Sequence, residues 1–360
     1  MIELRSDTFT LPTQEMLQSI LESELGDDVY AEDPTVKQLE KRAAEVCGKE
    51  AALLVPSGTM ANLISLMVHC PRGSKVLVGD ETDIYIYEAG GAAVCGGIIY
   101  EAIPTQADGR LLLEDLAQAF PEDTSDPQFA LPALICMENP HNRKGGRILP
   151  LSYLAEVQAF AKAKGIPVHM DGARIFNASV ALGVPVAEIS QYADSVQFCL
   201  SKGLSAPVGS MIVGSRVMIE KAYRLRKMLG GGMRQAGVIA APGLIALKSM
   251  VSRLENDHFN AKKLAEGLAA IDGIRCDAES VETNIVFFEI ADSRFTWQAF
   301  VESARNAGVN VAELGYGRIR AVTHSGISEE DIELALGKIR RIMEQGPVEA
   351  AAQYTEFKGA

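Results

Sequence analysis

The chain has 360 residues, 48% hydrophobic and 22% charged, enough apolar material for a large core and for two domains. Its formal net charge of −13, with no compensating Lys or Arg run, repels phosphate backbones and anionic lipid, so nucleic-acid and membrane partners are not expected. The start MIELRSDTFT lacks the regions of a signal peptide and no segment has the unbroken apolar length of a membrane span, so a cytoplasmic location is expected.

Pro34 opens a predicted helix in which Val36, Leu39, Ala43 and Val46 recur at helical spacing, with Gly48 at the C-terminal cap position. Seven short apolar runs follow: AALLVPSG, KVLVGD, GIIYEAI, ALICMEN, IPVHMDG, SVQFCL and GSMIVGS. Near-continuous apolar strands closed by Gly, Asp, Asn or Ser, alternating with helical patterns, predict an α/β fold with one wide, mostly parallel sheet. An Ala- and Leu-rich stretch over 237–270 predicts a long linking helix. A smaller α/β unit then carries the strand NIVFFEI, the helix TWQAFVESARNAG, the strand RIRAVT and a last helix with Ser328 and Asp331 spaced as a capping box. The expected domains are 1–245 and 246–345, with 346–360 a flexible tail. Six cysteines, Cys47, Cys70, Cys95, Cys136, Cys199 and Cys276, include no C-x-x-C pair and read as buried reduced thiols, with neither a disulfide framework nor a metal centre.

The strand IPVHMDG ends in Asp171, and SVQFCL ends just before Lys202. Both side chains therefore belong at sheet ends, where open α/β folds bind ligands. A desolvated lysine amine is a nucleophile that can condense with a carbonyl cofactor, and an Asp can partner a pyridine nitrogen. Taken singly, Asp171 reads better as a turn cap and Lys202 as half of an ion pair. In VPSGTMAN, Ser57, Gly58 and Thr59 sit between a strand and a helix, where backbone N–H groups and hydroxyls can cradle a phosphate.

With these pieces in hand, the sequence resembles the low-specificity L-threonine aldolases, fold-type I pyridoxal phosphate enzymes of the aspartate aminotransferase superfamily. The resemblance runs through LRSDTFTLPTQEM, GDDVYAEDPTVKQLE, VPSGTMANL, YEAGG, HMDGARIFNA, SKGLSAPVGS, RKMLGGGMRQAG and RIRAVTH, in the expected order over nearly the whole chain. It implies an aspartate aminotransferase-like fold, a large domain with a seven-stranded mostly parallel sheet plus a smaller C-terminal α/β domain. It also implies retro-aldol cleavage of L-threonine, L-allo-threonine and related β-hydroxy-α-amino acids to glycine and an aldehyde. Carried over to this chain, Lys202 holds the pyridoxal 5′-phosphate and Asp171 faces its ring nitrogen. Ser57, Gly58 and Thr59 bind the phosphate, and Arg234 reaches a phosphate from a neighbouring subunit. Ser6, Arg174 and Arg320 hold the substrate carboxylate, and Tyr30 and Tyr87 line the substrate side. The working form implied is a homodimer or homotetramer with its active sites at the dimer interface.

Several positions depart from the family pattern. Asp83 stands where the family usually carries a histidine before IYIYEAGG, and reads either as the acceptor of the substrate hydroxyl proton or as a turn cap. Gln128 aligns with a second family histidine, ENPHN brings Pro140, and His141 is the imidazole kept nearby. Ala31 and Ser205 stand where glycine is more usual. Two other functions stay open at this point: β-elimination on the same scaffold, and a non-catalytic protein that binds the cofactor.

Overall fold

The structure is a computed structural model that describes residues 1–347. The chain divides into two compact units, one of Leu11–Lys144 with Ile148–Ser252, the other of Met1–Thr10 and Gly145–Arg147 with the chain from Arg253 on. This division departs from the expected 1–245 and 246–345 at both ends. The N-terminal strand β1 (Ile2–Glu3) belongs to the smaller unit, where it pairs in parallel with β11 (Val309–Asn310). The linking helix is also not continuous. Gly237–Ile245 runs on through one wide turn to Met250, and a new helix begins at Leu254, so the boundary falls in the break between them. Of the expected tail, residues 348–360 lie outside the described residues.

The larger unit contains all seven expected strands: β2 (Ala51–Val55), β3 (Lys75–Gly79), β4 (Ile99–Ile103), β5 (Pro132–Glu138), β6 (Val168–Asp171), β7 (Ser195–Cys199) and β8 (Ser210–Gly214). They form one sheet in the order β2-β8-β7-β6-β5-β3-β4. Only β8 runs against its neighbours, pairing antiparallel with both β2 and β7. Every residue of β6, β7 and β8 is buried, which is why their sequences read as continuous apolar runs with no alternation. Helix α1 (Gln14–Glu22) is capped by Thr13. Helix α2 (Pro34–Cys47) starts on the Asp33 side chain, with Pro34 in its first turn, and ends on Gly48 at φ 63°, as the sequence foretold. Helix α3 (Gly58–His69) begins directly after β2, with Ser57 Oγ accepting from Met60 N–H. Cys95 is exposed, against the expectation that the thiols are buried, while Cys47, Cys70, Cys136 and Cys199 are buried as free thiols.

The edge strand β2 would leave unpaired backbone groups, and two side chains, Glu40 and the buried Arg226, occupy them. Glu40 accepts from Leu54 N–H at 3.0 Å, and Arg226 donates to Leu54 O at 2.7 Å and to Asp28 Oδ2 at 2.7 Å. Burial pushes the Glu40 carboxyl up to about 7 despite the Leu54 amide and the nearby Arg226.

In the smaller unit, β9 (Ile274–Cys276), β10 (Ile285–Ile290), β12 (Ala312–Glu313) and β13 (Ile319–Val322) form an antiparallel sheet in the order β12-β13-β10-β9. Helices Leu254–Ala269, Trp297–Asn306 and Glu329–Gln345 pack a core around Leu264, Phe288, Phe300 and Ile339. The last of them opens with the Ser328–Asp331 capping box. No single helix among the described residues is long and apolar enough to cross a membrane.

Two predictions follow from backbone and burial. Ala31 sits at φ 54°, a left-handed conformation that costs a residue with a Cβ about 1 kcal/mol more than glycine. Ala31→Gly is expected to raise the unfolding free energy by about 0.5–1 kcal/mol in a denaturant titration. Unfolded, Glu40 ionises near 4.5, whereas folded it keeps its proton to about 7, so its contribution to stability falls as pH rises between those values. Glu40→Gln, which keeps an acceptor for Leu54, should remove that decline from a pH series of unfolding midpoints.

Candidate active site

A cleft of about 280 Å³ opens in the larger unit at the C-terminal ends of the parallel strands, lined by Ser57, Gly58 and Thr59 and by Asp83, Asp171 and Lys202. Those positions come from separate segments, and the topology brings them together. Residue Asp171 ends β6, and Lys202 stands in the connection from β7 to the reversed β8. That connection is closed at both ends by the Cys199–Ser210 pair and by Leu200 N–H donating to Gly209 O at 3.0 Å. A further bond within it, Ser205 N–H to Lys202 O at 2.8 Å, accompanies Ser205 at φ 63°. Both expected glycine positions, 31 and 205, thus have left-handed backbone.

The Asp171 carboxylate is 3% exposed and accepts from Asn62 Nδ2 at 2.9 Å, from Ala173 N–H at 3.0 Å and from Gln197 Nε2. Burial and then the Asp83 charge push its pKa up, while Lys202 and the donors from Asn62 and Gln197 push it back down. At the first turn of α3, the amides of Gly58 and Thr59 have no partner within the helix, and α3 is long enough for its dipole to favour an anion there. A Cβ on Gly58 would lie 2.9 Å from Cys199 Sγ, so glycine is what lets this turn pack against β7.

Sequence reasoning missed Asn62, Gln197, Glu88 and Glu138. The first three line the cleft. Glu138, at the end of β5, accepts from Asp83 N–H at 2.7 Å and from Asn142 N–H at 2.7 Å, anchoring two loops. Burial, then Asp83 and Asp171, hold the Glu138 carboxyl well above the usual carboxylate range. Glu88 is held high first by burial and then by Asp171, against a bond from Asn62 at 2.7 Å. A signal existed in sequence: Asn62 and His69 are two helical turns apart, and 169, 171 and 195, 197 are same-face pairs on strands, spacings that let one helix face meet two strands.

The other expected site residues are distributed unevenly. Asp83 begins a short helix, α4 (Asp83–Ile86), and Asn142 Nδ2 donates to its Oδ1 at 3.0 Å. Tyr87 lines the cleft and accepts from Arg143 at 2.6 Å. Arg174, 6% exposed, directly precedes the helix Ile175–Leu182 that follows β6, and it is not among the residues lining the cleft. His141 does not line the cleft. It is fully buried, neither ring nitrogen has a hydrogen-bond partner, and burial pulls its pKa down to about 4, so the ring is neutral. Gln128 is exposed and bonded to Asp126 in a turn, because the segment before β5 stays at the surface. Tyr30 is 71% exposed, and Arg234 pairs with Asp27 at 2.9 Å on the surface; neither lines the cleft. Ser6 and Arg320 belong to the smaller unit, where Ser6 Oγ accepts from Thr8 N–H at 3.2 Å and Arg320 donates to Arg5 O at 3.0 Å.

The tight approach at Gly58 makes a double-mutant test. Gly58→Ala should cost about 1–3 kcal/mol of stability by overpacking, and adding Cys199→Ala should return most of it. Additive losses measured by denaturant unfolding would contradict the contact.

The sequence matches the beta-eliminating lyase family over residues 3–292. It is 46% identical to low-specificity L-threonine aldolase 1 of Arabidopsis thaliana, covering 95% of this chain and 96% of that protein. It is also 46% identical to the low specificity L-threonine aldolase of Escherichia coli strain K12, covering 92% of this chain and 96% of the relative. Among solved structures, the Leishmania major threonine aldolase superposes with a TM-score of 0.79 at 19% identity, covering 95% of this chain and all of that one, a likeness of fold. With the sheet order, the lysine connection and the carboxylate cleft all in place, the chain belongs to the beta-eliminating lyase family, among the low-specificity L-threonine aldolases.

Proposed function

We propose that this chain is a pyridoxal 5′-phosphate-dependent aldehyde-lyase that cleaves the Cα–Cβ bond of L-threonine, L-allo-threonine and related β-hydroxy-α-amino acids, giving glycine and an aldehyde. The observation that carries the proposal is that Lys202 and a three-donor Asp171 share one cleft with the first turn of α3.

The residues fit the cofactor. Lys202 would hold it through Nζ, Asp171 would face its ring nitrogen, and Ser57, Gly58 and Thr59 would bind its phosphate at the positive end of α3. Bound there, pyridoxal phosphate supplies an electron sink for the pair released by the broken bond. The chain's own groups do the rest. Arg174 would grip the substrate carboxylate with its planar fork. Asp83, with its amide anchored on Glu138 and its Oδ1 on Asn142, would accept the β-hydroxyl proton. Tyr87, steadied by Arg143, would bound the substrate side. No proton step is assigned to His141, whose ring stays neutral inside the protein.

We further take the working form to be a homodimer or homotetramer in the cytoplasm with sites at the dimer interface. The support is that Tyr30 and Arg234, both part of the expected site, lie on the surface of the larger unit.

The deciding assay incubates the loaded protein with each threonine diastereomer and measures acetaldehyde, glycine, 2-oxobutanoate and ammonia. Acetaldehyde and glycine in equal amounts are expected. Ammonia with 2-oxobutanoate would establish β-elimination instead, and a bound chromophore without turnover would establish a binding protein. Lys202→Ala should lose the cofactor's visible absorbance and about a thousandfold or more of turnover.

A further inference from the structure

A hydrogen-bonded chain runs away from the cleft beneath α3. Asn62 donates both N–H groups of its Nδ2, one to Asp171 Oδ2 at 2.9 Å and one to Glu88 Oε1 at 2.7 Å. Its Oδ1 lies 3.1 Å from His169 Nε2. His169 Nδ1 lies 2.8 Å from Ser195 Oγ, and the same hydroxyl lies 2.9 Å from His69 Nε2. Asn62, His169 and Ser195 are buried, and His69, the last residue of α3, is partly exposed.

Donor and acceptor capacity leaves this chain one arrangement. The Asp171 carboxylate requires an N–H group, which turns Asn62 Oδ1 toward His169, and the second N–H of the amide then reaches Glu88. His169 must then carry its proton on Nε2. Burial pulls the His169 pKa down to about 3, so the ring is neutral and its Nδ1 is a bare acceptor. Ser195 has a single hydroxyl proton and must give it to that nitrogen, so the proton between Ser195 and His69 comes from His69 Nε2. The opposite direction would turn Asn62 Oδ1 onto the Asp171 carboxylate and forfeit that bond.

We propose that His69, Ser195 and His169 are positioning residues that act through Asn62, locking its amide so that both donors stay on Asp171 and Glu88 and Asp171 stays ionised opposite the cofactor ring. The last clause rests on the cofactor assignment made above; the locked amide does not. The need for such a lock follows from the surroundings. Asp83 faces Asp171 with the same sign of charge, the Glu88 and Glu138 carboxyls beside it are themselves held well above the usual carboxylate range, and Lys202 is the cation that offsets the Asp83 charge. At the far end, Asp194 and Lys221 face His69 with opposite signs. A flipped Asn62 would withdraw a donor from Asp171, which burial and the Asp83 charge already push toward its protonated form.

Two measurements test this. In protein labelled with 15N-histidine, ring-nitrogen spectra should show His69 and His169 both protonated at Nε2; a His169 protonated at Nδ1 would overturn the proposal without any variant. In protein loaded with pyridoxal phosphate, His169→Phe should move the pH midpoint of the cofactor's visible absorbance by about one unit, a tenfold change in proton affinity. His169→Gln, which can return an N–H donor to Asn62 Oδ1, should restore the wild-type midpoint, with thermal melts checking that both variants fold. An unmoved midpoint in the Phe variant, or an equal shift in both, would overturn the proposal. If wild-type protein takes up no pyridoxal phosphate, the cofactor assignment fails and the ring tautomers alone decide the lock.

Discussion

Holding negative charge inside the protein is the constraint on which the rest of the larger unit depends. Asp171 and Glu138 end adjacent parallel strands and are 3% and 4% exposed, with Glu88 and Asp83 beside them. An isolated carboxylate there would simply take up a proton. Donors therefore arrive from every side: the amide of Ala173, the side chain of Gln197 from the next strand, the side chain of Asn62 from α3, and the amides of two loops onto Glu138. The orientation of α3 follows from the same demand, since one face of it must deliver Asn62 to β6 while its first turn opens toward the cleft.

Asp83 sharpens this problem. A carboxylate at this position adds charge to a site already rich in acids. Its cost is spread over neighbours: Asn142 bonds to it, and the Glu138 carboxyl, held well above the usual range partly by Asp83, favours its neutral form. The site thus accommodates the Asp83 carboxylate by keeping a proton on a buried neighbour rather than by bringing in a further cation.

Much of the fold was legible because parallel strands covered on both faces leave little room for polar residues, so seven runs mark seven strands. The caps at Gly48 and Ser328 were legible for an equally local reason, since each satisfies its own helix end. What escaped was non-local. The pairing of Ile2 with Val309 carries no signature in a two-residue strand, and the break after Met250 interrupts an apolar pattern that continues across it. In the site, Lys202 and Asp171 stood out because charge at an apolar strand end is anomalous. Glu88 and Glu138 looked like ordinary ends of motifs, and Gln128 was placed by alignment to a segment that folds into a surface turn.

The reversal of β8 has a consequence beyond topology. Because the strands flanking residues 200–209 run side by side, the segment bearing Lys202 is a clamped hairpin link rather than a long crossover. The entropy of immobilising it is spent when the chain folds, so a small molecule arriving in the cleft meets an amine whose backbone has no freedom left to lose. Selection acting on the helices outside the sheet can then vary the substrate side of the cleft while the reactive nitrogen keeps its place.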